Sequence, residues 1–357
     1  MAWKQTGQLS QADSLVNHHK AIEELDELHN LINWQTIEHT LRHVHSSERG
    51  ESAFHPVIMF KVLLLQKLYG LSDPAMEKQL ARDLLFRRFV GLSLTDNVPD
   101  HSTIWRYHKH LGELGLIEPL FNQINQQLAQ QNIIIKAGSV SIIDASIVEA
   151  KNKRAKKGKH TDNTQDKQAA YVSKQDSTGK VKTTYGFKIH LNCDEDSFVK
   201  KVETTPANVH DSQCFTTLLT GDESAVYADS AYKSQAHDDY LAEHEPPINN
   251  HIHDRAWRNT PLTKEQKRTN TQKSQTRNTL ERVFGHFKLH YGMSKARHLG
   301  LMQFHTSTLL ASIVHNLKTA LSLKQKYGLA SGYCVCWWLI WANRQKFINN
   351  KEILFMI

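Results

Sequence analysis

Near residue 133 the spacing of the apolar residues changes from a helical to a strand period, so a fold built on one period throughout cannot satisfy this chain. Before that point every segment reads as helix. Ile22, Leu25, Leu28, Leu31 and Ile32 recur at helical spacing within 14–45. A denser apolar helix over 55–69 opens on His55-Pro56 and stops at Gly70, and Ser72-Asp73-Pro74 with Glu77 caps a third over 74–84. Two more are expected over 99–113 and 116–131. Short helices with tight turns fit a helix-turn-helix DNA reader and a plain bundle equally well.

After residue 133, Ile133-Ile134-Ile135 and Val140 to Ile143 read as a buried strand ending at Asp144. Thr183 to Asn192 and Phe198 to Glu203 form a hairpin that turns on Asp194-Glu195-Asp196, with Glu149 and Asp194 read as surface acids. A short helix follows near 211–220, then a strand over 224–229 that ends in Asp229, a helix over 235–244 and a last short strand led by Pro246-Pro247-Ile248. The helix over 276–290 carries an apolar stripe of Leu280, Val283, Phe284 and Phe287, and another stripe runs through 304–322. The order implies an α+β, mixed-sheet fold: a helical N-terminal domain over 1–132, a mixed β-sheet domain flanked by helices over 133–325, and a tail over 326–357 with no role assigned.

The formal net charge of +8 is unevenly placed. Residues 151–182 hold ten Lys/Arg, Lys153, Arg154, Lys156 and Lys157 among them, against three Asp. Residues 264–298 hold nine against two Glu. The remainder has 25 basic and 31 acidic residues, a net of −6. Basicity confined to two segments is the footprint of a phosphate-backbone binder, although a solvated basic loop gives the same count. The stretch 151–182 is polar and poor in large apolar groups, which reads as a flexible insertion.

Other classes fit less well. The most apolar run, Tyr333 to Trp341, is far shorter than the roughly 20 residues a spanning helix needs, and the opening residues lack a signal-peptide pattern. A soluble, cytoplasmic protein without a membrane partner is expected. Four cysteines without a C-x-x-C pair, and an isolated His251-x-His253, support neither a disulfide scaffold nor a zinc site.

Two strand-end aspartates and a helical glutamate among basic groups, Asp144, Asp229 and Glu281, suit phosphoryl transfer. Mg2+ and Mn2+ prefer carboxylate and water oxygens. Two such ions about 4 Å apart can hold the attacking and leaving oxygens of an in-line displacement. Asp144 would bridge both ions, and Asp229 and Glu281 would each bind one. Singly, each acid also fits a turn former or a solvated helix residue. Arg277, Glu281 and Lys288 share one helix face, where a simple intrahelical salt bridge is the alternative.

The segments VSIIDAS at 140–146, VYADSAY at 226–232 and ERVFGHFK at 281–288 resemble the DDE transposases of bacterial insertion sequences, those of the "insertion sequence five" family above all. NVHDS at 208–212, YGFK at 185–188, GLSDP at 70–74, FRRFVG at 86–91 and PDHSTIW at 99–105 are similar too, so the resemblance spans roughly 1–320. It implies a ribonuclease-H-like catalytic domain, with Asp144, Asp229 and Glu281 as metal ligands and two Mg2+ or Mn2+ ions. It implies cleavage of double-stranded DNA at terminal inverted repeats, strand transfer by a freed 3′-hydroxyl, a homo-oligomeric DNA complex and a place on the bacterial nucleoid. Arg277 and Lys288 match the family spacing of phosphate-holding residues around the glutamate, while the tyrosine of that pattern is Ser274 here. His210 and, more weakly, Lys188 and Tyr185 join the candidate DNA contacts.

Three other readings compete. A simple metal-dependent nuclease would not need the helical region or the basic insertion. A DNA-binding relic of a transposase should have lost a carboxylate, and none is missing. A zinc-dependent structural DNA binder lacks paired ligands.

Overall fold

The computed structural model describes residues 20–42, 44, 53–131, 133, 140–152, 165–175, 178–256 and 260–327, without the side chains of 20–23 and 327. The first expected helix is two, α1 (Lys20–Asn30) and α2 (Trp34–Leu41). The break falls at Asn33, whose side chain accepts from the Gln35 amide at 3.1 Å and so starts a new helix. Helix α3 (Pro56–Leu68) is buried nearly all round, as its apolar density implied. Ser72 caps α4 (Asp73–Arg82) through the Ala75 amide. Glu77 does not close a capping box there; it reaches the His101 amide and ring at 2.9 and 2.8 Å. Helices α5 (Leu84–Val90), α6 (His101–Glu113) and α7 (Ile117–Gln130) complete this half, and Gly91, at φ 90°, ends α5 in the left-handed region.

The other half is a mixed sheet. Strand β1 (Val140–Glu149) pairs antiparallel with β3 (Val181–Cys193), and β3 pairs antiparallel with β4 (Val199–Pro206). On its other edge β1 runs parallel to β5 (Ala225–Ala228), which runs parallel to β6 (Asn249–Ile252). Three antiparallel strands followed by two parallel ones, with β1 in the middle, is the ribonuclease-H-like arrangement. An added strand, β2 (Ala170–Gln175), pairs with the outer part of β3, beyond β4 on the same edge. At this handover Gly186 is opposite both Glu149 and Ala170, and a Cβ on it would lie 2.0 Å from the Val148 carbonyl oxygen. Strand β1 does not end at Asp144; it runs five residues further because β3 pairs with it as far as Glu149.

Alternate residues of the sheet feed two cores. Ile142, Phe187, Ile189 and Leu191 join the larger cluster, which continues through the helical half. Ile143, Val226, Ala228 and Ile252 join a smaller one with Phe215 of α8 (Phe215–Leu218), Tyr232 and Leu241 of α9 (Gln235–Glu243). Helix α10 (Lys264–Leu289) packs on β1 and β5 through Leu280, Val283, Phe284 and Phe287. It is longer than its apolar stripe: Thr263 and Gln266 form a capping box that opens a polar first half. Helix α11 (Leu301–Tyr327) packs against α3, α6 and α7 on one side and β4 on the other. Asn316 of α11 both accepts from the Val199 amide and donates to its carbonyl, each at 2.8 Å, and donates to Asn125 of α7.

Two expectations need correction. Asp194 is buried and accepts from the Phe198 amide at 2.8 Å to close the β3–β4 turn; burial pushes its carboxyl up to about 7. The end of the basic insertion is anchored rather than loose: buried Asp166 accepts from the Gln168 and Gly300 amides, and β2 follows.

Candidate active site

The parallel pairing of β1 with β5 ends at Ile143 and Ala228, and that of β5 with β6 at Ala228 and Ile252. The next residue of each strand is Asp144, Asp229 and His253, so register alone sets these three in a row. Side-chain alternation turns them toward α10, because Ile143, Ala228 and Ile252 face the smaller core. Asp144 accepts from the Ala145 amide at 2.8 Å, and Asp229 caps a short 3-10 turn through the Ser230 amide at 2.6 Å.

Arg277 of α10 reaches into this row. One guanidinium nitrogen donates to Asp144 Oδ2 at 3.1 Å, and another lies 3.8 Å from Asp229 Oδ1. Burial raises the Asp144 carboxyl above its ordinary range; the Arg277 charge opposes that rise and the Asp229 charge adds to it. The arrangement is a carboxylate pair that draws one cation between its members.

Glu281 lies one helical turn beyond Arg277, exposed, with no hydrogen bond or ion pair among the described residues. Among those residues no three acidic, histidine or cysteine side chains converge at metal-holding distance. The structure therefore brings Asp144, Asp229 and Arg277 together and leaves Glu281 beside them. Lys288 sits at the far end of the same helix face, half-buried, and Ser274 bonds its own helix through the Asn270 carbonyl.

Lys188 is elsewhere. Strand parity turns it to the face of the sheet opposite Asp144, where it is buried and donates to the Val209 carbonyl at 2.5 Å and to Asp211 at 2.7 Å. It orders the loop after β4 from inside, and its ammonium is not offered to a DNA strand. Tyr185 likewise donates inward, to the Asp166 carbonyl. His210 is exposed and caps the 3-10 turn Asp211–Cys214 through the Ser212 amide. Lys153, Arg154, Lys156 and Lys157 lie outside the described residues.

Two residues near the carboxylates were not assigned to the site by sequence, where His253 figured only in an isolated His-x-His pair. His253 is buried with no partner for Nε2 among the described residues; burial, then the Arg277 charge, lowers its pKa against the pull of Asp229. Its signal was present, since it follows a strand in register with the other two, but the pairing could not be read from one chain. The Tyr232 hydroxyl is also buried, with no hydrogen-bond partner among the described residues, and burial, then the Asp211 and Asp144 charges, raise its pKa.

A sheet with this topology, carrying an acidic pair where its parallel pairing ends and against a basic helix, is the make-up of a phosphoryl-transfer enzyme acting on nucleic acid. Two family models cover the chain: "Transposase domain (DUF772)" over residues 11–110 and "Transposase DDE domain" over 136–317. The second spans more than half of the sequence, and the chain belongs to the DDE transposase family, enzymes that cleave DNA and transfer the cut strand with divalent metal ions. It is similar to the transposase for insertion sequence element IS1106 of Neisseria meningitidis serogroup B, 28% identical over 227 residues that cover 60% of this chain and 76% of that one. Among solved structures it is similar to a chain of the cryo-EM piggyBac transposase synaptic complex with hairpin DNA, at 11% identity and a TM-score of 0.39, over 82% of this chain and 78% of that one. No helix among the described residues is long and apolar enough to cross a membrane.

Proposed function

We propose that Asp144, Asp229 and Glu281 are the catalytic carboxylates of this transposase and hold two ions, Mg2+ or Mn2+. The observation that carries the reading is the pair of aspartates that follow the last paired residues of the parallel strands β1 and β5, bridged by the Arg277 guanidinium. The donor set fits hard cations: two carboxylates side by side, already drawing positive charge. A metal bound there polarises the scissile phosphodiester and lowers the pKa of the attacking water or 3′-hydroxyl. Asp144, the most enclosed of the three, and Asp229 would hold the metal from the sheet side. Glu281 completes the set when Arg277 leaves the aspartates and takes up a DNA phosphate, which its planar fork suits. The support for this exchange is that Arg277 and Glu281 lie one turn apart on the same helix face.

The chain acts on the terminal inverted repeats of its element, cleaves there and joins the freed 3′-end to target DNA, within the cytoplasm at the nucleoid. Residues 1–132 serve DNA binding and assembly, 133–325 catalysis, and at least two protomers act together on paired ends. The motifs at 140–146, 226–232 and 281–288 support membership of the "insertion sequence five" group. Lys288 and His210 contact the strand near the site, and Lys153, Arg154, Lys156 and Lys157 contribute sequence-independent attraction to the backbone.

The test is cleavage of labelled DNA carrying the element's ends, in Mg2+ or Mn2+, by the wild type and by Asp144→Asn, Asp229→Asn and Glu281→Gln. The reading expects nicking and joining by the wild type and binding without cutting by all three variants. Cutting by any variant at the wild-type rate removes that residue from the site. Specific binding without cutting by the wild type would make the chain a DNA-binding relic.

A further inference from the structure

Strands β2 and β3 form a two-stranded ribbon from Ala170 to Gly186 that extends past β4. Its outer part is exposed on both faces: Tyr171, Ser173, Lys174, Gln175, Val181, Lys182 and Thr183 are all exposed. In its register Lys174 is directly opposite Lys182. Like charges facing each other work against a hairpin, and neither lysine has an acidic partner among the described residues. A third ammonium joins them. The segment after α10 docks beside the end of β1 through its backbone: Lys295 pairs with Glu149 in an isolated parallel β-bridge, and the Ala296 amide donates to the Glu149 carbonyl at 2.8 Å. Glu149 is opposite Gly186, at the root of the ribbon. The chain leaving α10 therefore meets the sheet at the root of the ribbon. Burial, then the charges of Lys174 and Lys182, hold the Lys288 ammonium below the ordinary lysine range.

We propose that Lys174 and Lys182 of this ribbon, with Lys288 of α10, form a phosphodiester-binding clamp for a DNA strand that runs along α10 from the carboxylates. The inference rests on the transposase reading and adds a contact surface that the catalytic motifs do not contain. Three cations with no acidic partner among the described residues are a site for an anion. The ribbon is also the right shape: two antiparallel strands with both faces free can lie along a DNA groove or backbone. Its reach follows from the helix. Arg277 and Lys288 are eleven residues apart, about 16 Å along the axis. A strand advances about 3.4 Å per phosphate, so the clamp would lie about five nucleotides from the scissile bond. Contacts made only to phosphate position the strand and carry no sequence preference.

The experiment compares the wild type, a Lys174→Ser/Lys182→Ser double variant and a single Lys182→Glu variant. Fluorescence anisotropy would measure affinity for a labelled duplex of arbitrary sequence over a range of salt, and thermal melting would report the fold. The double variant should lower the slope of log affinity against log salt by about 1.8, the value for two lost phosphate contacts. Lys182→Glu pairs across the ribbon with Lys174, so it should melt no lower than the wild type and still bind DNA more weakly. That combination of opposite effects is not expected of a purely structural lysine. If both variants keep the wild-type affinity and salt slope while the wild type cuts DNA with metal, the clamp is overturned and the transposase reading stands. If the wild type neither binds nor cuts DNA, both fall.

Discussion

The guanidinium of Arg277 lies 3.1 Å from Asp144 and 3.8 Å from Asp229, so a single cation answers two carboxylates on adjacent parallel strands. Removing that cation while keeping the side-chain volume should leave the acids facing each other. Arg277→Met is expected to cost roughly 1–3 kcal/mol, less than a fully buried pair because Asp229 is nearly half exposed. Mn2+ should then raise the melting temperature of the variant more than that of the wild type. Equal shifts in the two proteins would show that Arg277 and the metal do not share a place.

Lys188 and Asp211 form a buried ion pair on the other face of the sheet. Asp211→Ala strands the ammonium in a site with little water and should cost on the order of 3 kcal/mol in urea unfolding. Lys188→Met should be milder and leave the salt slope of DNA binding at its wild-type value. A shallower slope would return Lys188 to the DNA interface.

Gly186 sits where three strands meet, and any side chain on it runs into the backbone of β1. Gly186→Ala should cost roughly 4 kcal/mol or more, because the obstacle is a carbonyl oxygen that cannot turn aside. Urea unfolding, or loss of soluble protein on expression, would show it; a variant within about 1 kcal/mol of the wild type would mean that β1 and β3 can separate locally.

Acid should loosen the fold before any metal ligand is involved. Burial holds His190 and His315 each down to about 4, whereas an unfolded histidine titrates near 6.5. Between those values the unfolded chain binds more protons than the folded one. The histidine contribution is therefore complete above about pH 6.5 and is lost as pH falls toward 4, by at most about 1.4 kcal/mol per pH unit for each, with Asp194, raised to about 7, opposing one of them. His315 makes one bond, to the Ser197 carbonyl at 3.0 Å, which a glutamine can imitate. His315→Gln should flatten the fall in urea midpoint between pH 6.5 and 5. An unchanged slope would assign the acid sensitivity to other groups.

Helix periodicity, most capping residues and the strand that ends before Asp229 were legible from sequence because each is a local matter of a few neighbouring side chains, whereas the continuation of β1 past Asp144 depends on its pairing with β3. What was not legible depended on partners distant in the chain. Strand β2 has no apolar alternation of its own and exists because β3 offers an edge. The first half of α10 lacks an apolar stripe and is opened by a capping box. Lys188 looked available to DNA because strand parity relative to Asp144 becomes visible only with the β1–β3 register. His253 joins the row of carboxylates only through the pairing of β5 with β6. Asp194 looked like a surface acid in an acidic turn, but the turn folds inward over it.

Helix α11 lies between the helical half and the sheet, and its residues complete the core of both. The two halves are accordingly not beads on a string that could be cloned apart: a cut before α11 would leave each with a raw apolar flank. The helical half, proposed to grip DNA, and the half proposed to cut it share one keel, so the angle between them is set when the chain folds, before any DNA arrives.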